Sequence, residues 1–100
     1  MRTPRVHNLR GTSGREVPNQ FIITTDDREV FQSYRTIIAV KDYDGTGTIT
    51  LDASALDYSV TTSRYLYAVL REWTGRDWTR KDVLRAIESG RFATTHFAGQ

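Results

Sequence analysis

The segment from Leu56 to Tyr65 constrains the fold most, because an extended, strand-forming half of the chain ends there and a helical half begins. Short polar side chains, which cap free backbone N–H groups, come directly before an apolar pattern with helical spacing. The capping side chains are Asp57, Ser59, Thr61, Thr62 and Ser63, and the apolar ones are Tyr65, Leu66, Val69, Leu70 and Trp73. The pattern predicts a helix N-terminus.

This helix start is also a candidate site for an anion. The first turn of a helix presents unpaired N–H groups and the positive end of the helix dipole, and both attract negative charge. The candidate ligand-binding residues around it are Tyr58, Ser59, Thr61, Thr62 and Arg64. The alternative is plain capping, since Ser and Thr are favoured at helix starts whatever the function. Tyr65 lies on the apolar stripe and is expected in the core, whereas Tyr58 and Tyr67 are better candidates for exposure.

Strand and helix signals follow one another in a simple order. β-branched and aromatic runs bounded by turn residues predict strands at residues 19–25, 29–34, 35–40 and 48–52, with a turn at Asp26-Asp27-Arg28. Helices are predicted at residues 62–73 and from the capping box at Thr79 to Gly90, followed by a short strand within residues 91–97. The fold class is therefore α+β, with a small antiparallel sheet of three to five strands packed against two helices in the order β-β-β-β-α-α-(β).

The basic residues are unevenly distributed. The formal net charge of +2 is too small to indicate a nucleic-acid partner, but four of the fourteen basic residues precede the first acidic residue. They are Arg2, Arg5, Arg10 and Arg15. We therefore divide the chain into a basic, partly flexible N-terminal arm at residues 1–18 and a single α+β domain at residues 19–100. Basic arms bind phosphates by counterion release, so these arginines are candidate nucleic-acid-binding residues; the alternative is a solubilising tail.

Composition excludes several classes of protein. The chain has no cysteine, which excludes a disulfide framework, a thiolate metal site and a cysteine nucleophile. It has no run of about 18 apolar residues and no apolar signal-peptide core near its N-terminus. We expect a cytoplasmic protein that makes no contact with a membrane.

Residues 42–53 resemble a calcium-binding loop only in part. Asp42, Asp44 and Gly47 fall at the first, third and sixth positions of such a loop. The twelfth position requires a bidentate carboxylate and holds Ala53 instead. Residues 37–40 also have a strand pattern where an EF-hand requires a helix. We expect a glycine-rich β-turn without a metal.

No constellation for catalysis can be assembled from the sequence. His7 and His96 lie near opposite ends of the chain, and no acid or nucleophile is associated with either. The glycines have neither the P-loop ending nor the dinucleotide-binding spacing. Trp73 and Trp78 bracket Gly75, where they are expected to pin the corner between the helices. We expect no catalytic residue, no metal and no cofactor, and therefore not an enzyme.

Several short motifs resemble a known group of proteins. The matching residues are Ser13-Gly14-Arg15, Asn19-Gln20-Phe21, Phe31-Gln32-Ser33-Tyr34, Ile38-Ala39, Asp57-Tyr58-Ser59, Thr61-Thr62 and Tyr65. Together they resemble a family of short uncharacterised proteins encoded by bacteriophages and other mobile elements, over about residues 8–90. The resemblance implies a phage or prophage origin and action inside a bacterial host cell, and it supplies no catalytic residue.

The sequence thus predicts a non-catalytic accessory protein that binds an anionic ligand, either a nucleic acid or a nucleotide. The alternative is an inhibitor of a host defence protein that acts through protein–protein contact at a strand edge or an aromatic surface. Association into a homo-oligomer is compatible with either function. Salt dependence separates the first two readings, because phosphate binding weakens steeply as salt rises and an apolar interface does not.

Overall fold

The computed structural model describes residues 5–10, 15–43, 47–54 and 60–97, with side chains in the last range from residue 63 onward. Within these residues the chain forms six strands and two helices. The strands are β1 (Arg5–Arg10), β2 (Glu16–Thr24), β3 (Arg28–Ser33), β4 (Thr36–Asp42), β5 (Ile49–Asp52) and β6 (Phe92–Thr95). The helices are α1 (Val60–Thr74) and α2 (Arg80–Glu88), both between β5 and β6. Neither described helix is long and apolar enough to cross a membrane.

The strands form one mixed sheet in the order β1-β2-β3-β4-β5-β6. The α+β class is confirmed, but two details of the predicted sheet are wrong. The sheet has six strands where three to five were expected, because Arg5–Arg10 of the predicted arm pairs with β2. It is also not wholly antiparallel, because β6 pairs with β5 in parallel. Parallel neighbours need a long crossover, and the two helices supply it.

Turn chemistry closes the central hairpins. At the predicted turn between β2 and β3, the Thr25 N–H donates to the Arg28 carbonyl at 2.9 Å, and the Thr25 hydroxyl donates to the Asp27 carboxylate at 2.8 Å. Between β3 and β4, Tyr34 has φ +54° and donates its N–H to the Asn19 carbonyl at 2.7 Å. The left-handed backbone of Tyr34 ends β3 one residue earlier than predicted.

A bulge in β4 explains its continuous apolar run. Opposite β3, the register shifts so that Ala39 pairs with Phe31 while Ile37 pairs with Gln32, leaving Ile38 as the extra residue. Ile38 and Ala39 both lie in the core, and so does Phe31. The bulge therefore turns two successive β4 side chains toward the helices, where regular alternation would turn one.

Both helices pack on the same face of the sheet. Leu66, Val69 and Leu70 of α1 are fully buried, and they share one core cluster with Phe31 and Leu51 of the sheet. As predicted, Gly75 ends α1 in the left-handed region at φ +79°, and Thr79 begins α2 with a complete capping box. The order of elements thus follows from local signals, and the common face follows from the apolar stripe of each helix.

The predicted helix corner is built around Trp78. Its ring centroid lies 4.9 Å from that of Phe92 on β6, and its indole N–H donates to the Thr74 hydroxyl at 2.7 Å. Trp73 is partly buried against the same core. The corner therefore ties the end of α1 to the start of β6, and this is the part of the molecule where the candidate site lies.

Candidate functional site

The predicted helix-start site is described only in part. Tyr58 and Ser59 lie outside the described residues, and Thr61 and Thr62 are placed by their backbone in the first turn of α1. Arg64 is exposed in the next turn. Helix α1 begins at Val60, two residues before the predicted start, so the helix N-terminus itself is confirmed. Ligand binding by this group stays a prediction.

Tyr65 and Tyr67, which lie near this helix start, differ less in solvent exposure than predicted. Tyr65 is partly buried and packs against the core, in line with its place on the apolar stripe. Tyr67, which was a candidate for exposure, is also partly buried against the core. An aromatic stacking surface at the start of α1 therefore cannot rely on a freely exposed Tyr67.

Of the four arginines in the predicted basic arm, three are described. Arg5 and Arg10 are exposed at the two ends of β1, which is an edge strand of the sheet. Arg15 is exposed directly before β2, and Arg2 lies outside the described residues. Arg10 is opposite Glu16 in the β1–β2 register. Positive charge is thus present along one sheet edge, and its use in binding nucleic acid stays a prediction.

A cleft of about 350 Å³ lies at the other end of the molecule, between the β4–β5 end of the sheet, the C-terminal end of α1 and the start of β6. Two cations, two hydroxyls, two aromatic rings, a glycine and an aliphatic side chain line it. They are Lys41, Arg91, Thr48, Thr74, Trp73, Phe92, Gly47 and Ile49. None of the described lining residues is acidic, so the cleft is electropositive.

Lys41 is held in place by the end of α1. Its ammonium group donates to the Trp73 carbonyl at 3.2 Å, which satisfies one of the free carbonyls of the last helical turn. A lysine ammonium has three donors, so two remain for a ligand. No carboxylate among the described residues forms an ion pair with it.

Glu29 lies opposite Lys41 in the β3–β4 register, but its carboxylate has another partner. The Tyr43 hydroxyl donates to Glu29, and the Lys41 ammonium lies 6.0 Å from the centroid of the Tyr43 ring. Partial burial, the hydrogen bond to Glu29 and its negative charge raise the pKa of Tyr43 to about 12. The phenol therefore stays protonated at neutral pH and keeps donating to Glu29, which is not among the residues lining the cleft.

Arg91 lies within cation–π distance of an aromatic ring. Its guanidinium lies 5.4 Å from the centroid of Trp78, and that of Arg76 lies 4.4 Å from the same centroid. A guanidinium carries its N–H donors in a planar fork whose geometry matches a bidentate anion. Arg76 also lies 3.7 Å from Asp82, whereas Arg91 pairs with no carboxylate in the described part of the chain.

Some of the remaining polar groups of the cleft already form hydrogen bonds within the protein. The Thr74 hydroxyl accepts from Trp78 and donates to the Leu70 carbonyl at 2.7 Å. The indole N–H of Trp73 is buried and has no hydrogen-bond acceptor among the described residues.

No other arrangement of reactive groups emerges from the described residues. They contain no cluster of three or more His, Asp or Glu side chains arranged to hold a metal ion. His7 lies on β1 and His96 follows β6, which are opposite edges of the sheet. Asp42 of the rejected calcium pattern lies 3.8 Å from Arg28, and residues 44–46 of that pattern are outside the described part.

Sequence reasoning missed the cleft. Lys41, Trp73 and Arg91 are far apart in the sequence and meet only because β6 pairs in parallel beside β5. The only local signal was the pair Trp73 and Trp78 on either side of Gly75. The sequence assigned this pair to the helix corner, where Trp78 does lie.

Comparison with known proteins identifies the family and nothing more specific. Residues 8–86 match a family of unknown function (DUF8033). Because the match covers most of the chain, the protein belongs to this family. No curated protein and no solved structure matches significantly.

Proposed function

We propose that this member of the family is a non-catalytic binding module for an anionic ligand, either a nucleotide or a nucleic acid. The observation that carries the proposal is the cleft where Lys41 and Arg91 stand together with Trp73 and no described acidic side chain. Cations without a carboxylate partner, beside an aromatic wall, are the elements of a phosphate and base site.

The size and chemistry of the cleft suit one nucleotide unit. Its volume of about 350 Å³ lies at the lower end of small-molecule sites, which span roughly 300–1,000 Å³. Lys41 supplies a point charge with free donors, and Arg91 supplies a planar fork that matches phosphate oxygens. A mononucleotide, or one residue of a single strand, would fill this space with its phosphate at the cations.

Both cations also have a structural role, and the test has to separate the two roles. Lys41 caps a carbonyl of α1, and Arg91 makes a cation–π contact with Trp78. Neutral glutamine retains a hydrogen-bond donor and an aliphatic stem at each position while removing the charge. A loss of binding in Lys41→Gln or Arg91→Gln, with thermal stability retained, therefore reports on the ligand.

The helix-start group and the arm arginines complete the proposal. Tyr58, Ser59, Thr61, Thr62 and Arg64 would form a second anion contact, and the exposed cations of β1 would hold a longer nucleic acid. We place this activity in the cytoplasm of a bacterial host and attribute the chain to a phage or other mobile element. The competing proposal is an inhibitor that binds a host defence protein without phosphate contact.

The experiment is a titration of the protein with mononucleotides and short single-stranded oligonucleotides, followed by tryptophan fluorescence. The chain has only two tryptophans, and one of them lines the cleft. We expect saturable binding whose logarithmic affinity falls linearly with the logarithm of salt concentration. Lys41→Gln with Arg91→Gln should weaken it at least about 100-fold, since each charge-assisted bond contributes about 1.5–3 kcal/mol.

The matched control is Arg35→Gln. Arg35 is exposed in the β3–β4 turn, at the end of β4 opposite Lys41, so the variant removes the same charge away from the cleft. It should leave affinity within about twofold. Absence of binding at low salt, or equal losses in the control and cleft variants, would contradict a specific anion site. Salt-insensitive capture of a host polypeptide would instead favour the inhibitor.

A further inference from the structure

The face of the sheet opposite the helices carries a row of apolar side chains. The strand registers place Val6 beside Ile23, Ile23 beside Val30, and Val30 beside Val40. Directly paired residues project from the same face, so these four side chains form a continuous row across β1 to β4. Thr50 and Ala93 extend it across β5 and β6. We call these six residues the open-face row.

No described helix covers this row. The buried residues of α1 and α2 share a core cluster with Phe31, Ala39 and Leu51, which alternate with the row along their strands. Val40 is buried, with 5% of its surface exposed, yet it is not part of that cluster. It therefore lies on the other face of the sheet.

An apolar row of this kind is unusual for a sheet with one solvated face. The solvated face of such a sheet normally carries polar side chains, which alternate along each strand with the apolar side chains of the buried face. Here Val6 is 61% exposed, and Ile23 and Val30 are partly exposed. Beside the row, Gln32 of β3 pairs with Phe21 of β2 on one side and with Ile37 of β4 on the other. Phe21 and Ile37 are both partly exposed and extend the apolar surface. An apolar surface of this composition is typical of a face that is buried in a complex with a partner.

The charges around the row favour an identical copy as the partner. The open-face row contains no ionisable side chain. Two residues further along β3 and β4, Arg28 pairs with Asp42. Their guanidinium and carboxylate groups lie 3.8 Å apart, so the two charges offset each other. The row and this ion pair carry no net charge, so two copies can bring their rows together without like-charge repulsion between the row residues, although the chain as a whole has a formal charge of +2.

We propose that two copies of this chain stack through their open sheet faces to form a symmetric dimer. Six strands spaced about 4.8 Å apart and about five residues long present a face of roughly 29 by 17 Å, so two stacked faces would bury about 1,000 Å². That area reaches the lower limit for a specific interface. Stacked sheets lie about 10 Å apart with strands nearly aligned, which buries the row in the centre.

The dimer is tested by sedimentation equilibrium of the full chain from low to high concentration. We expect a reversible rise to twice the chain mass of 11.5 kDa, unchanged or stronger as salt rises, because apolar burial is not screened. Val6→Glu places a like charge twice in the interface and should raise the dissociation constant at least about 100-fold. Val30→Thr keeps strand propensity and should raise it at least about tenfold.

Leu84→Gln is the matched control, because Leu84 is an exposed apolar residue on α2, on the other side of the molecule. It should leave the dimer intact. A monomer at every concentration would overturn the proposal, and so would a dimer that survives both valine variants while they remain folded by circular dichroism. In a mixture of isotope-labelled and unlabelled chains, the dimer should show nuclear Overhauser contacts between copies at the valine and isoleucine methyls of the row. Contacts confined to other residues would place the interface elsewhere.

Discussion

Thr79 and Asp82 form a reciprocal pair at the start of α2. The Asp82 N–H donates to the Thr79 hydroxyl at 3.2 Å, and the Thr79 N–H donates to the Asp82 carboxylate at 3.1 Å. Two of the unpaired donors of the helix start are thereby satisfied. Thr79→Ala should lower the free energy of unfolding by about 1 kcal/mol, whereas Thr79→Ser retains the hydroxyl and should cost little. Urea unfolding of the three proteins measures the difference, and equal losses for both variants would contradict the capping role.

The same pair predicts a pH dependence. The Thr79 N–H, and then the Thr79 hydroxyl, hold the pKa of Asp82 below its ordinary value, with smaller help from Arg76 and Arg85. A lowered pKa in the folded state stabilises the protein above the unfolded pKa, and this stabilisation is lost as pH falls through the folded pKa. The stability difference between wild type and Asp82→Ala should therefore be constant near neutral pH and shrink below about pH 4. Urea midpoints across this range test it, and a difference that grows on acidification would contradict it.

Features that depend only on contacts between residues three or four positions apart were predictable from the sequence. The capping box at Thr79, the turn at Asp26-Asp27-Arg28 and the stop at Gly90 each depend on hydrogen bonds or backbone angles within one turn of chain. Lys41 and Arg91 were not predictable as a pair. Their proximity depends on the sheet order, which single residues do not encode.

At the level of elements, the strands show where local patterns suffice. The Ile49–Asp52 strand alternates regularly and was predicted within one residue. Strand β1 was missed because Arg5–Arg10 holds two apolar residues among polar and charged ones, which is a common composition for an edge strand and also for a flexible arm. The bulge at Ile38 was hidden for a related reason, since a continuous apolar run does not reveal which face each side chain takes.

The end of α1 depends on the backbone of Gly75. Its φ of +79° lies in the left-handed region, and a Cβ built there meets nothing within 4 Å. Gly75→Ala is therefore free of clashes and should destabilise the protein by about 1–2 kcal/mol through backbone strain alone. Gly75→Asn should lose less, because asparagine tolerates this conformation. Equal unfolding midpoints in urea for wild type and Gly75→Ala would show that the corner at Trp78 adopts another backbone.

For the whole molecule, the parallel β5–β6 pair has the largest consequence. It returns the chain beside β5 after both helices, so that Arg91 and Phe92 reach Lys41 and close the cleft. The helices cover one face and leave the open-face row on the other. The cleft and the open-face row are thus separate surfaces, and the cleft variants should not affect dimerisation.

One core spans the molecule from its first strand to its last, and this predicts cooperative unfolding. Leu9 on β1 is buried in the same cluster as Trp78 and Phe92. Leu9→Ala should therefore lower the free energy of unfolding by about 2–5 kcal/mol. It should shift the midpoints of far-ultraviolet circular dichroism and of tryptophan fluorescence together. The exposed neighbour His7 supplies the control, His7→Ala, which should stay within about 0.5 kcal/mol. If residues 1–18 were instead an arm independent of the domain, Leu9→Ala would leave the fluorescence midpoint unchanged, because both tryptophans lie at the helix corner.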